Sequence, residues 1–120
     1  MNILVVDDEK NIRLILKRHL EKKGHHVVVY DKYEGLDMGG YVDAYMLDHD
    51  IVNGMTGYEW LQKVGEEQIP HYKRILMSGG PKWFQHDLSG NYLMKPFDIR
   101  TLDDMLAKVE TEVDINKGEE

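Results

Sequence analysis

Three short apolar runs in this chain each end in groups that can do chemistry. Asp7-Asp8-Glu9 follows Ile3-Leu4-Val5-Val6, Asp48 follows Tyr45-Met46-Leu47, and Lys95-Pro96-Phe97 follows Tyr92-Leu93-Met94. Each run reads as a buried strand. In an open parallel sheet the carboxyl ends of the strands face a common crevice. Asp7, Asp8 and Asp48 would then meet the ammonium of Lys95 at one point. Carboxylates crowded together resist ionisation and burial unless a cation joins them. The cluster therefore implies a site that admits a hard cation and an anion.

The elements that must position these groups follow from hydrophobic periodicity. Ile3 to Val6, His26 to Tyr30, Ala44 to Leu47, Arg74 to Met77 and Asn91 to Met94 read as strands. Lys10 to Lys23 has Ile12, Ile15, Leu16 and Leu20 at helical spacing, with Gly24 as a stop. Tyr33 to Met38 predicts a short helix ended by Gly39-Gly40. Asp50 to Gly57, which contains Asn53-Gly54, reads as a loop. Tyr58 to Glu66 predicts a helix facing inward through Trp60, Leu61 and Val64. The last helix begins near Asp98, with Ile99, Leu102, Met105, Leu106, Val109 and Val113 inward. Between Gly79 and Gly90 there is room for one or two helical turns at most. The order is β-α, repeated, for which parallel strands with helical crossovers are the natural solution. The expected architecture is α/β: a three-layer, doubly wound (βα)5 sandwich of flavodoxin-like type. It has a five-stranded parallel sheet in order 2-1-3-4-5 and a short or degraded helix between strands four and five. One domain is expected over 1–115, with a polar tail over 116–120.

Composition narrows the function classes. A chain of 120 residues supports a single core. A formal net charge of −7 argues against nucleic-acid binding by the domain as a whole. There is no cysteine, so disulfides and thiolate metal sites are excluded. No apolar run approaches the roughly 20 residues that span a bilayer, and no basic leader precedes the first strand, so a cytoplasmic, non-membrane protein is expected. The scattered histidines suit surface roles. Met38, Met46, Met55, Met77, Met94 and Met105 suit gap filling rather than a cofactor site.

Taken in order, Asp7-Asp8, Asp48, Ser78 and Lys95-Pro96 each stand at the end of a predicted strand. This pattern resembles the receiver domain of two-component response regulators, stand-alone and CheY-like, over essentially the whole chain. The resemblance implies that Asp48 accepts a phosphoryl group from a histidine kinase or a histidine phosphotransfer protein. It implies Mg²⁺, with Mn²⁺ as the alternative, held by Asp7, Asp8, Asp48 and the backbone carbonyl of Asp50. Ser78 and Lys95 would bind the phosphoryl group, and Ser78 and Tyr92 would form the conformational switch. Such a domain is a signalling module, not an enzyme with turnover. Its partners would be the phosphodonor, a downstream protein and, on occasion, a second copy. The basic residues of the first helix, Lys10, Arg13, Lys17, Arg18, Lys22 and Lys23, suggest a donor-docking face.

Departures from that pattern leave alternatives open. Ile51 and Val52 stand where the family carries methionine and proline, and Gly57 falls one residue late, so the loop after Asp48 is lengthened. Asp50 adds a carboxylate beside the site. The segment between Ser78 and Tyr92 is short. One alternative is a pseudo-receiver that binds partners without phosphorylation. A remote alternative is a haloacid dehalogenase-like phosphohydrolase, because Asp48-His49-Asp50 has that family's Asp-x-Asp form. A further alternative is that Asp7 and Asp8 simply cap the first helix.

Overall fold

The computed structural model describes residues 1–36, 40–80 and 91–117. Strands β1 (Asn2–Val6), β2 (His26–Tyr30), β3 (Ala44–Asp48), β4 (Arg74–Ser78) and β5 (Asn91–Met94) form one sheet in order β2-β1-β3-β4-β5. Every pairing is parallel. The sheet order and direction are those expected from the sequence.

Period-two alternation explains the layers. Ile3, Val5, Met46, Ile75 and Met77 face one side. There they pack with Leu16 and Leu20 of helix α1 (Lys10–Lys22) and with Leu102, Leu106, Val109 and Val113 of helix α3 (Ile99–Lys117). Leu4, Val6, Tyr45, Leu47 and Leu76 face the other side, against Trp60 and Leu61 of helix α2 (Gly57–Val64). Strands β3 and β4 are buried along their whole length, whereas β2, at the sheet edge, leaves Val28 exposed.

Local signals fix the helix ends. Thr56 accepts from the Glu59 amide while the Glu59 carboxylate accepts from the Thr56 amide, a reciprocal capping box that starts α2 after the long loop. α1 ends where Gly24 takes φ +95°, a conformation that favours glycine.

Several expectations are corrected. The stretch from Tyr33 is a turn rather than the start of a helix, and residues 37–39, including Met38, lie outside the described residues. Tyr33 is instead drawn into the core, where its ring stacks on Trp60 at 5.3 Å. Ile15 and Ile99 point outward, because the inner stripes of their helices are already filled by Leu16 and Leu20 and by Leu102 and Leu106. Met94, at the sheet's edge strand, is exposed and fills no gap. α3 runs on through Lys117, so Asn116 and Lys117 are helical rather than tail; Lys117 Nζ lies 3.1 Å from Asp43 Oδ1. The expected short helix before β5 falls mostly on 81–90, outside the described residues.

Arg74, which opens β4, is only 1% exposed. Its Nε donates to the Ile69 carbonyl at 2.7 Å and its Nη2 to the Glu66 carbonyl at 2.8 Å. The guanidinium thus bonds the first carbonyl of the 3-10 turn Glu66–Gln68, which the Ile69 amide also reaches, and the carbonyl of that turn's cap residue, Ile69. Arg74→Met keeps the bulk but removes both bonds and leaves the Ile69 carbonyl without its Arg74 donor. Chemical denaturation should show a loss of about 2 kcal/mol; an unchanged midpoint would deny the guanidinium this role.

Candidate functional site

The chain passes from β1 to β2 on one side and from there to β3 on the other, so a crevice opens beyond the carboxyl ends of β1 and β3. Asp7 follows the last residue of β1, and Asp48 is the last residue of β3. Both are 0% exposed. Backbone bonds carry the ladder past the strand ends and hold these positions. The Asp7 amide donates to the Tyr30 carbonyl at 3.0 Å, the His49 amide to the Met77 carbonyl at 2.9 Å, and the Lys95 amide to the Ser78 carbonyl at 2.8 Å.

The side chains then converge. One carboxylate oxygen from each of Asp7, Asp8 and Asp48 lies within 4.8 Å of the others. Lys95 Nζ reaches Asp7 Oδ2 at 2.6 Å and Asp48 Oδ2 at 3.2 Å. The free oxygens are oriented by amides: Asp48 Oδ1 accepts from the Asp50 amide at 2.9 Å, and Asp7 Oδ1 from the Glu9 amide at 2.9 Å. Asp8 Oδ2 accepts from the Val52 amide at 3.0 Å, so the lengthened loop folds back over the site. Helix α1 begins after Glu9 with no side-chain cap, so Asp7 and Asp8 are not its capping groups.

Ser78, at the end of β4, donates from Oγ to Asp50 Oδ2 at 3.3 Å. Tyr92 is half-buried on β5 and packs against the cluster that contains Trp60 and Leu76. The described site thus brings together Asp7, Asp8, Asp48, Asp50, Ser78 and Lys95, with Tyr92 on the strand that leads to Lys95.

Two residues were not anticipated at the site. Tyr33 donates its hydroxyl to the Asp48 carbonyl at 2.7 Å in a fully buried bond. Arg13 Nη1 donates to the Asp7 carbonyl at 2.8 Å, which takes it out of the free basic face of α1. No sequence signal marks Tyr33, since its role depends on the turn that replaces a helix. Arg13 stands one turn into α1, within reach of the β1 end, and that spacing was a usable clue.

The electrostatics follow from burial. Asp48 is pushed up to about 6, mainly by burial and further by Asp7, against the opposing pull of the Asp50 amide and Lys95. Burial alone would lower the Lys95 ammonium, but its bonds to Asp7 and Asp48 outweigh this and hold it above its ordinary value. Tyr33 is raised well above its usual range by burial and then by Asp48 and Asp7, so it stays a phenol and a donor. Three carboxylates facing one ammonium leave an excess of negative charge. The donor set is all hard oxygen, which fits Mg²⁺ or Mn²⁺ and not a soft metal.

A five-stranded parallel sheet in this order, with an acidic crevice at the β1 and β3 ends and a lysine after β5, defines the receiver fold. Known structures agree. Over 99% of this chain and 98% of the other, the fold matches the CheY-like response regulator receiver domain protein of Methanospirillum hungatei, with a TM-score of 0.77 and 28% identity. The Thermotoga maritima response regulator TrrA, solved in complex with Mg²⁺ and BeF, matches with a TM-score of 0.74 and 28% identity, over 90% of this chain and 97% of that one. The chemotaxis protein CheY4 of Vibrio cholerae matches over the same shares, with a TM-score of 0.77 and 22% identity. No family model and no curated protein matches the sequence. The protein therefore has the CheY-like receiver fold, and its structural neighbours are receiver domains of response regulators.

Proposed function

We propose that this chain is a phosphorylatable receiver module in which Asp48 accepts a phosphoryl group from a phosphohistidine. The observation that carries this reading is the Asp7–Asp8–Asp48 cluster countered by Lys95 at the crevice. One carboxylate oxygen of Asp48 attacks phosphorus. The new P–O bond forms as the P–N bond breaks, and the departing imidazole takes up a proton from solvent. Asp48 becomes an acyl phosphate. Because Asp48 titrates near 6, it is ionised and nucleophilic at neutral pH.

Mg²⁺ or Mn²⁺ would be held by the carboxylates of Asp7, Asp8 and Asp48 with the Asp50 carbonyl, and would neutralise phosphoryl charge. Lys95, already in contact with Asp48, exchanges a carboxylate contact for a phosphoryl oxygen. Ser78 supplies a hydroxyl to another, and Tyr92 follows the space that Ser78 leaves. These shifts are the switch that a downstream protein would read. TrrA, with its bound Mg²⁺ and BeF, supports the metal and phosphoryl assignment by analogy.

The donor would dock on α1. Leu14 and Ile15 are about half exposed beside Arg18 and Lys22, an apolar strip edged with positive charge. This suits the side of a helical phosphotransfer bundle. Among the described residues no helix is long and apolar enough to cross a membrane. A cytoplasmic setting, with one receiver domain over 1–115, goes with the same reading.

One observation favours the pseudo-receiver alternative: Asp50 already occupies the Ser78 hydroxyl and the Gly79 amide. Incubation with acetyl phosphate and Mg²⁺ separates the readings. A metal-dependent gain of one phosphoryl group in the intact mass supports the proposal, no gain supports the pseudo-receiver, and sustained release of inorganic phosphate from a phosphomonoester would revive the hydrolase.

The metal assignment has its own readout. At a hundredfold excess over its Kd, Mg²⁺ should stabilise the fold by about 2.7 kcal/mol and raise the melting temperature by ~10 °C. Asp8→Ala should remove most of that shift. A wild-type melting temperature that ignores millimolar Mg²⁺ would count against the ligand set.

A further inference from the structure

The proposed phosphotransfer uses the Asp50 carbonyl and leaves its side chain without a role, yet that side chain is firmly placed. Its Oδ2 accepts from the Gly79 amide at 2.7 Å and from Ser78 Oγ at 3.3 Å. Ser78 is 4% exposed, and its Oγ also accepts from the Gly80 amide at 3.2 Å. The turn after β4 thus aims a hydroxyl and an amide at one point, and a carboxylate oxygen occupies that point. A Cβ added at Gly79 would lie 3.6 Å from the same oxygen, which shows how closely the carboxylate lies over the turn. Converging O–H and N–H donors form an anion cradle.

Asp50 is two residues from Asp48, and its own amide bonds the Asp48 carboxylate. The cradle therefore adjoins the acceptor. The loop that carries Asp50 is tied down by the Val52 amide on Asp8 and by the Met55 amide on Glu34 Oε1 at 2.6 Å. The carboxylate is held in place by its loop as well as by its own bonds.

We infer that Asp50 is a built-in competitor for the phosphoryl group: its carboxylate fills the Ser78–Gly79 cradle and must be displaced before the phosphoryl oxygens can take those donors. The inference rests on the reading of Asp48 as acceptor and names a regulation of that same site. Two effects act in one direction. The donors are engaged, and the occupant carries the same sign of charge as the newcomer. The site is thus self-restrained, and movement of the loop withdraws the restraint.

The test is a beryllofluoride titration at saturating Mg²⁺ on wild type, Asp50→Ala and Asp50→Asn, with the Gly79 amide followed by NMR. Metal saturation is confirmed by a separate Mg²⁺ titration of each variant. The charge-assisted bonds to Asp50 predict binding at least about tenfold tighter in Asp50→Ala than in wild type. The Gly79 amide proton should move upfield in free Asp50→Ala and return downfield as beryllofluoride binds. Equal or weaker binding in both variants, while wild type still binds, would overturn the competitor role and leave the Asp48 reading intact. Absence of binding in all the proteins would overturn both. An unmoved Gly79 resonance in Asp50→Ala would overturn the contact on which the inference stands.

Discussion

Asp48→Asn should raise the stability of the metal-free protein at neutral pH and, on the proposed reading of the site, abolish uptake of a phosphoryl group. Asp48 is fully buried and its carboxyl is pushed up to about 6 in the fold, chiefly by burial. In the unfolded chain it titrates near 3.9. The sign follows directly. Below about pH 4 the carboxyl is protonated in both states and the shift has no effect. As pH rises from about 4 to about 6, the unfolded chain loses this proton first, so stability falls. Above about 6 the group is ionised in both states, and the fold carries a cost of about 3 kcal/mol. Asn mimics the protonated form and removes that cost. With chelator present, the variant should melt ~10 °C higher than wild type at pH 7.5, and the gap should close near pH 4. A variant less stable than wild type at pH 7.5 would show that the Lys95 and Asp50 contacts outweigh burial. With Mg²⁺ present the advantage should shrink, because Asn is the poorer ligand.

Lys95→Ala has the opposite sign and a larger size. Lys95 is the ion-pair partner of two carboxylates that are each 0% exposed. Removing one member of a buried ionic group strands the others, at about 3–5 kcal/mol. Substitution of the exposed Lys22 should change stability by no more than about 0.5 kcal/mol. The double variant Asp48→Asn/Lys95→Ala separates the causes. Because the residues are in contact, their effects should not add, and the second change should recover 1 kcal/mol or more of the loss. Strict additivity would mean that Lys95 acts through packing of its methylene chain and not through its charge. Wild type, both single variants and the double variant measured in urea at pH 7.5 suffice.

The parts of this fold set by periodicity were legible in the sequence. Ile3 and Val5 against Leu4 and Val6, and Ile75 and Met77 against Leu76, alternate as a sheet covered on both faces requires. That alternation also fixes where each strand stops, and so where Asp7, Asp48, Ser78 and Lys95 stand. The cluster needed only strand ends and parallel order. What could not be read depends on irregular backbone. Tyr33 enters the core because its segment turns instead of coiling, and nothing in Tyr33-Glu34-Gly35 specifies the hydroxyl's bond to the Asp48 carbonyl. The Asp50 side chain reaches Ser78 and Gly79 only because the loop over 50–56 is folded onto Asp8 and Glu34. Ile15 and Ile99 were misplaced because an apolar helix is broader than the stripe its neighbours can cover. Arg74 escaped notice because a charged residue that opens a strand is ordinarily a solvated end.

The central claim is that Asp48, and no other carboxylate of the cluster, takes the phosphoryl group. The full chain, incubated with Mg²⁺ and acetyl phosphate and reduced with borohydride, converts an aspartyl phosphate to homoserine at the acceptor. Fragment mass spectrometry then locates it. Homoserine is expected at position 48 alone, lost when the metal is chelated and absent from Asp48→Asn. Homoserine at position 7, 8 or 50, or an unmodified chain, would contradict it.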